Sequence, residues 1–219
     1  METQTRTAVV TGASGLVGGL LLDGLLEDPL YREVLSLGRR SLPKQHPKLV
    51  QRAVDFARLE EETLPPADDA FCCLGTTLKK AGSPEAFRAV DHDAVLAFAK
   101  ATRKAGARRF LVVTALGANP DSRVFYNRVK GEVERGLQGL GFESLVILQP
   151  SLLLGDRAES RPGERAAIVA SRVLAPLLRP FGGRPIEART VARAMVALAR
   201  EAPKGVRVAP SRELQQLGR

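Results

Sequence analysis

Residues 7–27 read TAVVTGASGLVGGLLLDGLLE. A short β-branched run ends at Thr11, and three glycines follow with the spacing Gly12-x-x-Gly15-x-x-Gly18 before an apolar, helix-like segment. Glycines in a strand-to-helix turn let the backbone bend tightly and approach a pyrophosphate, and the helix N-terminus then presents free N–H groups to the phosphates. The stretch therefore predicts a dinucleotide-binding turn. Glycines that serve only the turn are the alternative.

The chain alternates strand-like and helix-like segments as far as residue 150. Strands are predicted at 7–11, 34–37, 49–54, 70–74, 109–114 and 144–149, and helices at 16–27, 84–104 and about 122–137. The strands are continuous apolar runs, which is typical of a parallel sheet that helices cover on both faces. The predicted fold class is therefore α/β, with a Rossmann-type, doubly wound parallel sheet.

The pattern changes after Pro150. A polar loop is predicted at 155–163, helices at 164–178 and 190–200, and a last short strand at 206–208, with Pro176, Pro180 and Pro185 as interruptions. We interpret residues 1–219 as one cofactor-binding domain. Within it, residues 151–219 are expected to form a small C-terminal lobe on the substrate side of the sheet.

The composition is that of a folded domain. Of 219 residues, 44% are hydrophobic and 26% are charged, which excludes collagen-like and disordered classes. No apolar run approaches the roughly 20 residues that a membrane helix needs. The first residues lack the apolar core of a secretory signal. We therefore expect a soluble, cytoplasmic protein.

Charge is unevenly distributed along the chain. Residues 1–156 contain 20 Lys/Arg and 19 Asp/Glu, whereas residues 157–219 contain 13 and 5. A basic third of a chain can face nucleic acid or another anion. Nucleic-acid binding usually adds aromatic stacking platforms, but tryptophan is absent and both tyrosines lie outside the basic part. A general basic bias is the simpler interpretation, so we expect neither a nucleic-acid nor a membrane partner. A basic nucleic-acid-binding module is the alternative that this charge asymmetry leaves open.

The two cysteines are Cys72 and Cys73, adjacent in a predicted strand. Neighbouring strand residues point to opposite faces, so these thiols are poorly placed to bridge or to share a metal. We interpret them as core residues of a reducing compartment. With only His46 and His92 besides, the sequence predicts no metal site.

The end of the second predicted strand bears on cofactor choice. NAD-binding sites typically place an acid there, whereas this chain has Gly38-Arg39-Arg40. A guanidinium has the fork geometry that binds a 2′-phosphate, which favours NADP(H) over NAD(H); a solvated basic turn is the alternative. Asp55 and Phe56 are expected along the adenine. The segment Leu74-Gly75-Thr76 is expected beneath the cofactor.

The helix after the fifth strand carries the residues best suited to catalysis. Tyr126 and Lys130 are four residues apart and share the apolar face with Val133. A nearby ammonium lowers the pKa of a phenol from about 10, so Tyr126 is expected to exchange a proton near neutral pH. Thr114, at the end of the predicted strand that precedes this helix, is expected to hydrogen-bond the reacting oxygen. A lysine that merely snorkels out of the apolar face is the alternative.

Four segments carry a resemblance to a known family: residues 72–77 (CCLGTT), 113–118 (VTALGA), 126–132 (YNRVKGE) and 149–155 (QPSLLLG). Together with the glycine turn, they resemble the short-chain dehydrogenase/reductase superfamily, and in particular its atypical, NAD(P)H-binding branch of Tat-interacting-protein-like proteins. The branch often has two serines where Thr114 and Ala115 stand.

The resemblance implies a cofactor-dependent catalytic site. Its catalytic set is Thr114, Tyr126 and Lys130, and Lys130 also bonds the nicotinamide ribose. The implied cofactor-binding residues are Gly12, Ser14, Gly15, Leu16, Val17, Gly18, Arg39, Asp55, Phe56, Leu74, Gly75, Thr76, Tyr126, Lys130, Pro150, Leu152 and Leu153.

The predicted function is an NADP(H)-dependent oxidoreductase or epimerase-like enzyme acting on a small molecule, as a monomer or homodimer. The alternative is an NADP(H)-binding regulatory or scaffold protein without significant turnover.

Overall fold

A seven-stranded parallel sheet forms the centre of the computed structural model, which describes residues 5–155 and 184–219. Its strands are β1 (Arg6–Thr11), β2 (Tyr31–Gly38), β3 (Leu49–Ala53), β4 (Asp69–Cys72), β5 (Arg109–Val113), β6 (Ser144–Gln149) and β9 (Gly205–Pro210). Two further short strands, β7 (Leu153–Leu154) and β8 (Ile186–Glu187), lie outside this sheet. The spatial order is β3-β2-β1-β4-β5-β6-β9, and each neighbouring pair is parallel. The chain therefore reverses its direction of winding between β1 and β4, where α/β proteins bind ligands.

Helices cover both faces of this sheet, as the sequence predicts. They are α1 (Leu16–Glu27), α2 (Leu78–Ala81), α3 (Pro84–Arg88), α4 (Ala94–Lys104), α5 (Phe125–Gln138), α6 (Ala188–Glu201) and α7 (Ser211–Leu217). A 3₁₀ turn spans Phe56–Glu61, and a π-helical turn spans Ala89–Asp93. Alternate residues of each strand supply two separate cores: α1, α6 and α7 pack on one, and α4 and α5 on the other. The doubly wound α/β prediction is confirmed.

The C-terminal part, which the sequence analysis assigns to a small lobe, contributes an edge strand and a covering helix to this sheet. Strand β9 pairs with β6, and α6 packs against α1. Strands β7 and β8 pair with each other, which places Leu153 beside Ile186. Of the predicted lobe, the helix at 164–178 and most of the loop at 155–163 lie outside the described residues.

The amino ends of the strands enclose a buried ionic cluster. The fully buried Asp69 carboxylate pairs with Arg109 and lies 3.4 Å from Arg6. It also accepts a hydrogen bond of 2.7 Å from the Tyr31 hydroxyl. Burial and the neighbouring carboxylate raise the pKa of Tyr31 far above its ordinary value. These groups connect β1, β2, β4 and β5 at the end of the sheet opposite the carboxyl ends of the strands.

In the described part of the chain, the helices are all too short or too polar to cross a membrane.

Candidate active site

The glycine turn has the geometry that the sequence predicts. Gly12 has φ +79°, and a Cβ there would lie 2.4 Å from the carbonyl carbon of Cys73. A Cβ on Gly18 would lie 2.1 Å from the Gly12 oxygen. Two of the glycines are therefore required by the close packing of α1 against the strand ends.

Gly15 differs from these two glycines. Among the described residues, the one close neighbour of an added Cβ would be the Gly12 oxygen at 3.1 Å, and both Ser14 and Gly15 are exposed. Gly15 precedes the first turn of α1, whose N–H groups receive no side-chain cap from residues 5–155 or 184–219. Leu16 and Val17 continue this turn into the helix. An open, uncapped helix N-terminus fits a pyrophosphate, because the free N–H groups and the helix dipole favour an anion there.

The residues predicted around the adenosine end follow β2 and β3. Arg39 and Arg40 are exposed directly after Gly38. The Asp55 carboxylate accepts a hydrogen bond of 3.0 Å from the Ala57 N–H and so caps the 3₁₀ turn. Phe56 is half-buried. This end of the sheet thus presents the guanidinium groups of Arg39 and Arg40, while the Asp55 carboxylate already accepts a backbone hydrogen bond.

Lys130 forms a buried ion pair that the sequence analysis did not anticipate. Its Nζ lies 2.7 Å from Oδ1 of Asp91, and the two residues are 4% and 1% exposed. Oδ2 of Asp91 accepts a hydrogen bond of 2.8 Å from the Thr76 N–H. A Cβ on Gly75 would lie 3.5 Å from Asp91 Oδ1 and 3.9 Å from Lys130 Nζ. The pair is therefore next to the segment predicted to pass beneath the cofactor, and Lys130 is not a snorkelling lysine.

Asp91 owes its position to the π-helical turn within the predicted helix 84–104. Such turns insert one residue into a helix and are frequent at functional sites. A sequence signal for Asp91 did exist. Phe87, Asp91 and Phe98 recur at helical spacing and all are buried, so the carboxylate stands in an apolar stripe as Lys130 does.

Tyr126 lies one turn before Lys130, half-buried, with its ring 5.6 Å from that of Phe87. Burial raises the pKa of its phenol above the ordinary value; Lys130 lowers the pKa, while Asp91 raises it further. The expectation of a lowered pKa is therefore wrong for this structure. The ammonium is present, but burial outweighs it and a carboxylate offsets its charge.

The Thr114 hydroxyl is engaged away from this pair. It donates a hydrogen bond to Glu134 Oε1 at 2.5 Å and lies 3.3 Å from the Leu148 carbonyl. Thr114 and Glu134 are both buried. The structure thus brings Tyr126, Lys130, Gly75 and Thr76 together, and it joins Thr114 to a second carboxyl group instead.

The remaining predicted residues border the same edge of the sheet. Leu74 is half-buried after β4, and the Pro150 carbonyl accepts a hydrogen bond of 2.9 Å from the Leu116 N–H. Leu152 is 50% exposed, whereas Leu153 lies in β7. The segment 150–153 therefore lies at the carboxyl end of β6, in reach of a ligand bound at that edge.

The doubly wound parallel sheet and the glycine turn before α1 define a Rossmann fold of the short-chain dehydrogenase/reductase type. The chain is similar to MoeE5 in complex with UDP-glucose and NAD, with a TM-score of 0.70, 19% identity, and coverage of 93% of this chain and 75% of that one. It is also similar to the human epimerase family protein SDR39U1 with NADPH, with a TM-score of 0.64, 15% identity, and coverage of 93% and 73%. At these identities the likeness shows the fold. The search of protein-family models gave no match.

Curated relatives identify the branch. Protein HTATIP2 of Rattus norvegicus is 40% identical over 168 residues, which cover 74% of this chain and 68% of the relative. Protein FMP52 of Eremothecium gossypii is 34% identical over 215 residues, 96% of both chains. The chain therefore belongs to the HTATIP2/FMP52 family of atypical short-chain dehydrogenase/reductases, and the resemblance stated from its motifs is confirmed.

The relatives correct one prediction. FMP52 proteins of several fungi are named as mitochondrial, which contradicts the expectation of a cytoplasmic protein. The expectation rested on the lack of an apolar secretory core in the first residues. Mitochondrial targeting segments are amphipathic and basic, so the lack of an apolar core does not distinguish a mitochondrial protein from a cytoplasmic one.

Proposed function

We propose that the protein is an NADP(H)-dependent oxidoreductase or epimerase-like enzyme acting on a small molecule. The observation that carries this proposal is the buried Lys130–Asp91 ion pair, one helical turn from Tyr126 and next to Gly75. Burying a charged pair costs desolvation energy, and a well-packed apolar pair is often at least as stable, so stability alone gives little reason for Lys130 and Asp91 to be there. A positioned ammonium beside a phenol, at the carboxyl ends of the strands, suits proton exchange with a substrate hydroxyl or carbonyl.

The nicotinamide cofactor would supply the hydride chemistry. The residues proposed to hold it are Gly12, Ser14, Gly15, Leu16, Val17 and Gly18 at the phosphates, Arg39, Asp55 and Phe56 at the adenosine, and Leu74, Gly75, Thr76, Pro150, Leu152 and Leu153 near the nicotinamide. The uncapped N-terminus of α1 and the open side of Gly15 support the phosphate part of this set.

Three side chains form the proposed catalytic set, two at the reacting group and one at the cofactor ribose. Tyr126 is the proposed general acid, because burial raises the pKa of its phenol and keeps it protonated over the physiological range. In the reverse direction the phenol would have to lose that proton before it could act as general base. Lys130 is the proposed ligand of the nicotinamide ribose, and Asp91 holds the lysine at a defined place. Thr114 completes the proposed set. While it donates to Glu134, its oxygen can meet the reacting group only as an acceptor.

The proposed preference for NADP(H) rests on Arg39 and Arg40. Both guanidinium groups are exposed after Gly38, where a 2′-phosphate would lie, and Asp55 is occupied as a cap. A guanidinium binds a phosphate through a charged, two-pronged contact and gains nothing comparable from a ribose hydroxyl.

A binding protein without turnover is the second candidate. The observations that favour it are the raised pKa of Tyr126, the engaged Thr114 hydroxyl and the methyl side chain of Ala115, where related proteins often have a hydroxyl. In that case the nucleotide would stabilise a surface for a partner.

A substrate screen separates the two candidates. Absorbance of NADPH is followed with a panel of carbonyl compounds and, for epimerisation, product analysis with a panel of nucleotide sugars. The enzyme proposal expects substrate-dependent conversion by the parent protein. Tight NADPH binding with no conversion on either panel would favour the binding protein.

A further inference from the structure

Helix α5 carries a second buried carboxyl group behind the proposed catalytic pair. Glu134 lies one helical turn after Lys130 and is 8% exposed. Its Oε1 accepts a hydrogen bond from the Thr114 hydroxyl at 2.5 Å. The side-chain amide of Gln149 donates to Oε1 at 3.1 Å and to Oε2 at 3.0 Å. Three hydrogen bonds thus converge on one buried carboxylate.

The partners of Glu134 stand at the ends of two neighbouring strands. Thr114 directly follows β5, and Gln149 is the last residue of β6. Main-chain bonds continue this connection, from the Thr114 N–H to the Leu148 carbonyl at 2.8 Å and from the Leu116 N–H to the Pro150 carbonyl at 2.9 Å. Ligands of α/β sheets bind outside the carboxyl ends of the strands. Glu134 therefore ties α5 to the two strand ends that border the substrate side.

The Thr114 hydroxyl can donate only one hydrogen bond, which determines where its proton points. A threonine hydroxyl has one proton and two lone pairs. The contact with Glu134 is 2.5 Å, and that with the Leu148 carbonyl is 3.3 Å, so the proton points to the carboxylate. The orientation of Thr114 is therefore set by Glu134 and not left to the ligand.

We propose that Glu134 is a positioning residue of the active site, which orients the Thr114 hydroxyl and holds the carboxyl ends of β5 and β6 together. This inference rests on the proposed function, because it assigns a task within the same site. Glu134 acts through Thr114 and Gln149.

The charge state of Glu134 follows from its surroundings. Burial raises its pKa, and the hydrogen bonds from Thr114 and Gln149 and the charge of Lys130 partly offset that rise. Lys130 is the charged neighbour on α5 and is paired with Asp91, whereas the strand ends contribute neutral side chains. Glu134 therefore takes up a proton at a higher pH than an ordinary glutamate. The connection weakens as the pH falls through that range.

Amide hydrogen exchange tests the connection without any substrate. In Glu134→Gln, one half of the side chain becomes a donor that faces the donors of Thr114 and Gln149. Exchange of the Leu116 N–H should accelerate by about tenfold, the scale of one lost charged hydrogen bond. The matched control is Glu132→Gln on the same helix, whose carboxylate pairs with Arg88 on α3. The control should leave exchange in residues 114–118 unchanged.

A double-mutant cycle tests the positioning role itself. If Thr114 acts through its bond to Glu134, Thr114→Val and Glu134→Gln should each reduce kcat by about tenfold, and the double variant should be no slower than the worse single variant. NADPH affinity should stay within about twofold of the parent. The parent should lose activity on the acid side of its pH profile, and Glu134→Gln should lack that fall. Thr114→Ser, which keeps the hydroxyl, should restore most of kcat.

Each outcome decides between the positioning role and its absence. Unchanged exchange at Leu116 in Glu134→Gln would overturn the proposal, whether or not the protein has turnover. Multiplied losses in the double variant, or an unaltered acid limb in Glu134→Gln, would also overturn it. If the parent converts no compound on either panel, the proposed function fails, and the exchange result still decides whether Glu134 holds the strand ends. If Glu134→Gln does not fold, Thr114→Val is compared with Thr114→Ser by the same exchange measurement.

Discussion

Replacing Lys130 with methionine tests the buried ion pair most sharply. Lys130→Met keeps a long apolar stem in the stripe of α5 but leaves the Asp91 carboxylate, which is 1% exposed, without its cation. Removing one partner of a buried pair costs about 3–5 kcal/mol, because an uncompensated charge stays in the interior. We therefore expect Lys130→Met to lower the free energy of unfolding by about that amount at neutral pH.

Two further variants isolate the ion pair from simple changes in packing. The double variant Lys130→Met with Asp91→Asn removes both charges and keeps an acceptor for the Thr76 N–H, so it should recover most of the loss. The control is Lys100→Met on α4, whose exposed pair with Glu60 should contribute less than about 1 kcal/mol.

Urea unfolding followed by far-ultraviolet circular dichroism suits a chain that contains no tryptophan. A Lys130→Met variant as stable as the parent would refute the reasoning. So would a double variant no more stable than the single one.

Three other predictions concern the cofactor and the phenol. Gly15→Val places a branched side chain where the pyrophosphate should approach. Fluorescence titration should therefore show that NADPH and NADH binding are both lost, while the melting temperature is largely unchanged. Normal binding of either cofactor would show that the turn is purely structural. Arg39→Ala should weaken NADPH binding by roughly 1.5–3 kcal/mol, the scale of a charged hydrogen bond, and leave NADH binding unchanged. Equal losses for both cofactors would contradict a contact with the 2′-phosphate. Asp91→Asn should lower the pKa of Tyr126, because the carboxylate raises it and also pairs with the ammonium that lowers it. Ultraviolet titration of tyrosinate in a Tyr31→Phe background leaves Tyr126 as the only tyrosine, and an unchanged or raised pKa would contradict this reasoning.

Local patterns predicted most of the fold. The glycine turn and α1 follow from residues adjacent in sequence, and the predicted bounds of α1 match the observed Leu16–Glu27. The parallel sheet follows from continuous apolar strands, of which β4 is buried at all four positions. The position of β9 beside β6 does not follow from such patterns, since it depends on how residues 184–219 return to the sheet.

The sequence predicts a site residue where suitable side chains recur at helical spacing, as Tyr126 and Lys130 do. Identifying Asp91 as the partner of Lys130 required comparing the predicted helix 84–104 with α5. Each of these helices has one such charged residue within its apolar stripe. The bond between Thr114 and Glu134 depends on the register of α5 against the strand ends, which spacing does not specify. The direction of the Tyr126 pKa depends on burial around the ring, which outweighs the neighbouring ammonium.

The effect of Tyr126→Phe on turnover and on cofactor binding is the most direct test of the proposed enzyme. The variant keeps the ring that packs against Phe87 and deletes only the hydroxyl. Substrate-dependent conversion should fall by about 10²–10⁴-fold, the usual contribution of a positioned acid or base, while NADPH affinity stays nearly unchanged. Turnover in Tyr126→Phe equal to that of the parent would contradict the account, because the phenol would then have no part in the chemistry.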